Sequence, residues 1–291
     1  MIELSGKNKK MANDADAERR RKMVNEDGGL NLEWYKSEAL TPKISVVMQS
    51  YLGEYPGSRS NPELKLFRAV QTFLFQKYKN CELIIVADGC YKTQQIYNQF
   101  FKDEPTVKLI YVGRDTGDRS LKEPVAGSDT LHHFRGYPRQ VGVEAATGDL
   151  ITYMDSDDII LPEHTLNIQL NYNKYPDKKW FIQKSWYDNE VGDQGIMSQL
   201  NVAPEDPITI IGVEGKWCKV NLTDDGKHLN VPWLLSHVAG LDVKWRDVIA
   251  VHGQGEDADF NTQLKTKYDG QGLCIEHEAS YVRCHSDYWD L

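Results

Sequence analysis

Asp155-Ser156-Asp157-Asp158 follows directly on the apolar run Leu150-Ile151-Thr152-Tyr153-Met154. A run of that kind reads as a buried strand. Carboxylates crowded at the carboxyl end of a strand repel each other, so a purely structural role would be a costly way to leave a sheet. Hard oxygen ligands suit Mg2+ or Mn2+, and the chemistry open to this cluster is to hold a divalent cation against a diphosphate. A solvated acidic loop is the competing reading of the same letters.

The elements that must carry this cluster begin at Pro42. Ile44-Ser45-Val46-Val47-Met48 is a first strand, and Asn61-Pro62-Glu63 opens a helix with Asn as N-cap, Pro at the first position and an acid facing the dipole. Leu66, Phe67, Val70, Phe73 and Leu74 recur at helical spacing as its buried stripe. Glu82 to Ala87 is a second strand, Gln94 to Phe101 a polar helix, Val107 to Val112 a third strand, and Arg139 to Ala146 a helix leading into the strand that ends at the acids. Strands alternating with helices predict a mainly parallel sheet, whose ligands gather outside the carboxyl ends of the strands. Ser50-Tyr51, Asp88-Gly89 and the acidic cluster all fall at those ends.

The bulk properties fit that picture. A chain of 291 residues has length for a sizeable core, and a formal net charge of -9 argues against a broad electrostatic grip on nucleic acid or an anionic membrane. No apolar stretch has the length to span a bilayer, and Met1-Ile2-Glu3-Leu4-Ser5 lacks the apolar core of a secretory signal. The five cysteines lack zinc-site spacing, so reduced thiols and a cytoplasmic setting are expected. Residues 1–40 are polar, carry Arg19-Arg20-Arg21-Lys22 and read as a mobile arm. The stretch from Gly113 to Gly136, with His132-His133, reads as a surface excursion. Beyond Trp180 the pattern is less regular and rich in tryptophan, as core or as platforms for sugar rings.

Taken together these pieces resemble the family 2 glycosyltransferases of GT-A fold. The family's turn after the first strand corresponds to Met48-Gln49-Ser50-Tyr51-Leu52, and its helix and acidic strand end to Ala69 through Gln76 and to Ala87-Asp88-Gly89-Cys90. Pro138-Arg139-Gln140-Val141-Gly142, Ala146-Thr147-Gly148-Asp149 and Asp155-Ser156-Asp157-Asp158 match the third landmark. Glu256-Asp257 at a helix start and Tyr281-Val282-Arg283-Cys284-His285 complete the series. The order is the family's, from residue 43 to 285. Ala87 stands where the family has a first acid, Gln140 where it has Asn, and the loop before Arg139 is longer.

The resemblance implies an α/β, Rossmann-like sheet flanked by helices in one domain over 41–291, with a nucleotide-binding half (41–160) and a less regular acceptor and catalytic half (161–291). It implies that Asp157 coordinates Mn2+ or Mg2+, that Asp155 meets the ribose or a metal-bound water, and that Asp158 supports the loop. His285 is the implied third ligand. Asp257 is the implied general base, with Glu256 and Asp259 as rivals and Asp259 the helix-capping acid. Asp88 would accept from the uracil edge, Tyr51 stack beside it, Ser50 offer backbone contact, Arg139 contact the nucleotide and fix the catalytic loop, and Arg283 pair with the diphosphate.

The function so implied is metal-dependent, inverting transfer of one sugar from a UDP-sugar to an acceptor hydroxyl. No transmembrane segment and no Gln-x-x-Arg-Trp motif suggest a processive membrane synthase. The acceptor stays open among glycan, lipid-linked glycan and nucleic-acid base. A sugar-phosphate nucleotidyltransferase would need a glycine-rich basic loop after the first strand, where Gln49-Ser50-Tyr51-Leu52-Gly53-Glu54 stands instead. A non-catalytic carbohydrate- or nucleotide-binding module would need neither Asp257 nor His285.

Overall fold

A computed structural model of the chain describes Lys22 and residues 40–53, 60–113, 136–183, 185–188, 208–210, 213–215, 217–220, 235–247, 256–274 and 280–283. Its centre is four parallel strands: β1 (Ile44–Ser50), β2 (Cys81–Asp88), β3 (Val107–Val112) and β4 (Leu150–Asp155). Three further strands, β6 (Trp180–Ile182), β11 (Leu235–Val238) and β12 (Gly272–Cys274), extend it to seven in the order β12-β6-β11-β4-β1-β2-β3. Within this sheet only β11 runs against its neighbours.

β2 shows why these residues form a central strand. All eight are buried, so both faces are covered and the sequence is a nearly continuous apolar run instead of an alternation. Ile84 and Val86 pack with Val112 and with Val141 and Ala145 of helix α3 (Gly136–Ala145). Leu83 and Ile85 turn the other way, into the cluster that holds Leu66, Val70 and Phe73 of α1 (Pro62–Leu74). Each such aliphatic side chain contributes about 1.5–3 kcal/mol when fully buried. α2 (Tyr91–Phe100) starts three residues earlier than its polar pattern suggested, and α4 (His164–Lys174) follows the short β5 (Ile159–Ile160).

One local detail differs from expectation. Asn61 does not cap α1 through its side chain; it stands in the left-handed region at φ 46° and ψ 48°. Asn tolerates that region better than other non-glycine residues, and Pro62 then sets the helical φ by itself. Of the two readings of the tryptophans, core or sugar platform, Trp245 takes the first: it is buried and stacked on Phe260 at 4.1 Å.

The arm over residues 1–39 lies outside the described residues apart from Lys22. Leu40 is tied down: its N–H donates to Asn173 Oδ1 at 2.8 Å, while Asn173 and Gln169 donate to its carbonyl. A second sheet, β10 (Trp217–Val220), β7 (Ser185–Asp188), β13 (Tyr281–Arg283) and β5, stands beyond the carboxyl edge of β4; β8 (Ile208–Ile210) and β9 (Val213–Gly215) pair with each other. Among the described residues no helix is long and apolar enough to cross a membrane.

Candidate active site

The parallel register brings the three polar strand ends to one edge. Gln49 of β1 is level with Val86 of β2 on one side and Asp155 of β4 on the other, so Ser50, Asp88 and Asp155 end adjacent strands. Ser50 Oγ lies 2.8 Å from Thr93 Oγ1, which ties β1 to α2 and leaves its backbone as the part at the edge. Tyr51 is half-buried against the core. Asp88 is buried at its strand end, and the following Gly89 takes φ 61°, a turn conformation glycine adopts without strain. The N–H of Gly89 donates to the Val112 carbonyl at 2.7 Å, locking that turn to β3.

β4 delivers the acidic loop. Carboxylate oxygens of Asp155, Asp157 and Asp158 lie within 4.8 Å of one another. Two contacts fix the loop's shape. Arg68 of α1 donates from Nη2 to the Asp157 carbonyl at 3.0 Å. The Tyr281 hydroxyl of β13 accepts the Asp155 N–H at 3.1 Å and donates to Asp158 Oδ2 at 2.7 Å. Burial first, and then the nearby charges of Asp158 and Asp155, push the Tyr281 phenol well above its usual range, so it keeps the proton that it donates. Three converging carboxylates form a hard-oxygen donor set, and that set fits Mn2+ or Mg2+.

Arg139 joins this loop to a second acidic element, α5 (Glu256–Lys267). Its Nη2 donates to Asp155 Oδ1 at 3.2 Å, and its Nη1 to Glu256 Oε1 at 3.1 Å and Asp257 Oδ1 at 2.9 Å. The Arg139 side chain is 4% exposed and Glu256 8%, while Asp155 and Asp257 keep 23% each and face the open edge. Burial disfavours the charged guanidinium, but the charges of Asp257, Asp155 and Glu256 outweigh it and hold the group firmly protonated.

The local sequence explains this placement. Gly142 lets α3 press onto β1, since a Cβ there would collide with Val47 Cγ1. Segment 245–247 then bridges α3 to α5: Gln140 Oε1 accepts the Trp245 N–H at 2.9 Å, Tyr137 N–H donates to Asp247, and Arg246 forks onto Asp259. Arg139 lies 4.9 Å above the Trp245 ring. Asp259 is thus committed to Arg246, and also accepts from Gln263 at 2.8 Å. Beneath lies a neutral pair. Burial pushes His237 down to about 4; its Nδ1–H donates to the Val238 carbonyl, so Nε2 accepts the Tyr153 O–H at 2.8 Å.

Among the sequence-derived site residues the structure therefore brings together Asp155, Asp157, Asp158, Arg139, Glu256 and Asp257, with Ser50 and Asp88 at the neighbouring strand ends. Arg283 has its backbone in β13, level with Tyr187, but its side chain lies outside the described residues, as does all of His285. Sequence reasoning assigned no role to Tyr281, Arg68 or Trp245. Each sits in an apolar or helical pattern that a core residue shares, and only Tyr281 carried a signal, as the opening residue of the last landmark.

No family model matches the chain. A Haemophilus influenzae protein named as an uncharacterized glycosyltransferase is 33% identical over 132 residues, 45% of this chain and 42% of that protein. S. aureus TarS (residues 1–349) superposes with a TM-score of 0.53 at 18% identity, covering 82% of this chain and 60% of that one. Its complex with UDP-GlcNAc gives 0.53 at 16% identity, covering 83% and 58%. The chain thus spans less than half of the H. influenzae protein and about 60% of the TarS structure. The likeness to TarS shows a shared fold: a mainly parallel seven-stranded sheet with flanking helices, the α/β class expected.

Proposed function

We propose that this protein is a metal-dependent inverting glycosyltransferase of the family 2 type, moving one sugar from a UDP-sugar to an acceptor hydroxyl. One observation carries the reading: Arg139 draws the acids of α5 to the carboxylate loop at the end of β4, setting a candidate cation site beside a candidate base. The name of the H. influenzae relative and the UDP-GlcNAc complex of TarS support the class of reaction and donor.

Asp157 would hold Mn2+ or Mg2+ in this reading, with Asp155 beside it at the ribose or a metal-bound water and Asp158 anchored by Tyr281 as the loop's support. A divalent cation bound there supplies charge stabilisation to the departing nucleoside diphosphate. Asp257 takes the acceptor proton: a sugar hydroxyl is a weak nucleophile at neutral pH, and a positioned carboxylate must accept the proton as the hydroxyl attacks the anomeric carbon. Glu256 is the less suitable base because it is the more deeply buried of the pair. Asp88 and Tyr51 receive the uracil, and Ser50 contacts the nucleotide through its backbone. His285 completes the metal ligands and Arg283 pairs with the diphosphate.

A donor screen tests the proposal: UDP release from a panel of UDP-sugars with Mn2+, with EDTA, and with Asp157→Ala. Release confined to the wild-type protein with Mn2+ is expected for at least one sugar. Release from none, or release indifferent to EDTA, contradicts the assignment.

A further inference from the structure

One guanidinium serves three carboxylates here, on two elements more than 100 residues apart in sequence. Its bonds are unequal. The contact to Asp257, at 2.9 Å, has the length of a strong charge-assisted bond, while that to Asp155, at 3.2 Å, is long. The guanidinium lies 4.9 Å from the Trp245 ring centroid and divides its ends, Nη2 to Asp155 and Nη1 to α5. Burial of Arg139 and Glu256 sharpens the competition, because a buried guanidinium has little water to replace a carboxylate that it loses.

We infer that Arg139 is a two-sided latch that couples cation binding at the Asp155 loop to the position of Asp257. Glu256 and Asp257 hold Arg139 back from Asp155, which keeps a carboxylate oxygen of the loop available to a cation. A cation at the loop repels the guanidinium, and Arg139 then settles on α5 and fixes the Asp257 carboxylate for its acceptor. Coupling of this kind is reciprocal, so whatever α5 does for the cation, the cation does for α5. The inference rests on the cation reading of the loop given above. Arg139 acts as a positioning residue throughout.

The test is Mn2+ affinity by calorimetry, alone and with UDP present, for the wild type, Glu256→Gln and Asp257→Asn. Each substitution frees Arg139 to pair fully with Asp155, and Mn2+ affinity should fall by about five-fold or more. A simple through-space field would give a loss of the same sign, so both substitutions are repeated on Arg139→Lys. Lysine keeps the charge but, as a single point donor, cannot serve both sides, and the loss should shrink to about two-fold or less.

If Arg139→Lys does not fold by circular dichroism, Asp259→Asn serves as the control: it removes a like charge from the same turn of α5 at a residue bonded to Arg246 and not to Arg139. A through-space field lowers Mn2+ affinity there about as much as at 256 and 257; a contact-borne coupling leaves it within about two-fold. Mn2+ binding that ignores residues 256 and 257, an equal loss in both backgrounds, or an equal loss in Asp259→Asn overturns the latch and leaves the cation reading standing. No Mn2+ binding by the wild type overturns both.

Discussion

Asp257 and Asp259 lie on the same helical turn with opposite commitments, and this contrast sets the expectations at the residue scale. Asp259 is engaged by Arg246 and Gln263, whereas Asp257 gives one oxygen to Arg139 and faces the edge. Asp257→Asn should leave UDP binding intact and lower transfer by roughly 10²–10⁴-fold, the usual loss when a general base is removed. Asp259→Asn should cost stability only. Equal losses of transfer from both variants would assign the base wrongly. Tyr281 offers a second check. Tyr281→Phe deletes the hydroxyl that the Asp155 N–H and the Asp158 carboxylate share, so the half-buried Asp155 N–H and the buried Asp158 carboxylate each lose that hydrogen bond. A cost of about 1–3 kcal/mol in urea unfolding is expected, together with weaker Mn2+ binding. Unchanged Mn2+ affinity would show that the loop keeps its shape without Tyr281. The pairings that build the site are not local in sequence. Asp155 and Tyr281 are 126 residues apart, and Arg139 and Asp257 are 118 apart. The residue types and the acidic loop could therefore be read from the sequence, but the partners could not.

At the scale of elements, α3 matters because its backbone nearly touches the sheet. Gly142 has no room for a side chain against Val47 and Val86, and that closeness sets where Arg139 points. Gly142→Val should destabilise by about 1–3 kcal/mol through overpacking and should also weaken UDP binding by displacing the helix. Wild-type stability and binding in that variant would mean that α3 can retreat without moving the site. The strands were legible because full burial leaves an unmistakable apolar run in β1, β2 and β4. Helix starts were less so. Asn61 has the letter of a cap without the geometry, because Pro62 already fixes the entry, and α2 begins at Tyr91 where no sequence signal marks it. The short strands β5 and β13 carry too few residues to show a period, yet they place Tyr281 on the acidic loop.

Across the whole molecule the sheet has two unlike ends. The carboxyl edge collects the Asp155, Glu256 and Asp257 carboxylates around the Arg139 guanidinium. The amino edge neutralises its one buried acid: Glu82 accepts from Lys43, Lys108, Ser45 and both the N–H and hydroxyl of Thr147 at 2.7–3.0 Å. Burial alone would push the Glu82 carboxyl up, but these hydrogen bonds to its charged form win and hold it well below the ordinary value of 4.5. A carboxyl depressed on folding contributes stability that is fully present above its unfolded value and lost as pH falls toward the folded one. Unfolding midpoints should therefore drop as pH is lowered below about 4.5, and Glu82→Gln should be less stable at pH 7 with a flatter acid limb. An identical acid limb in Glu82→Gln would place the acid sensitivity elsewhere. In the sequence Glu82 has no more than a place in a strand, since its partners come from β1 and the residue before it, from β3 and from the turn before β4. The carboxyl edge is where the account stands or falls, and calorimetry of UDP binding tests it most directly. With Mn2+ present, wild-type protein should bind UDP, and both EDTA and Asp157→Ala should reduce the affinity to the same low level. UDP affinity unchanged by either would contradict a cation held by the Asp155–Asp158 loop, and with it the proposed function.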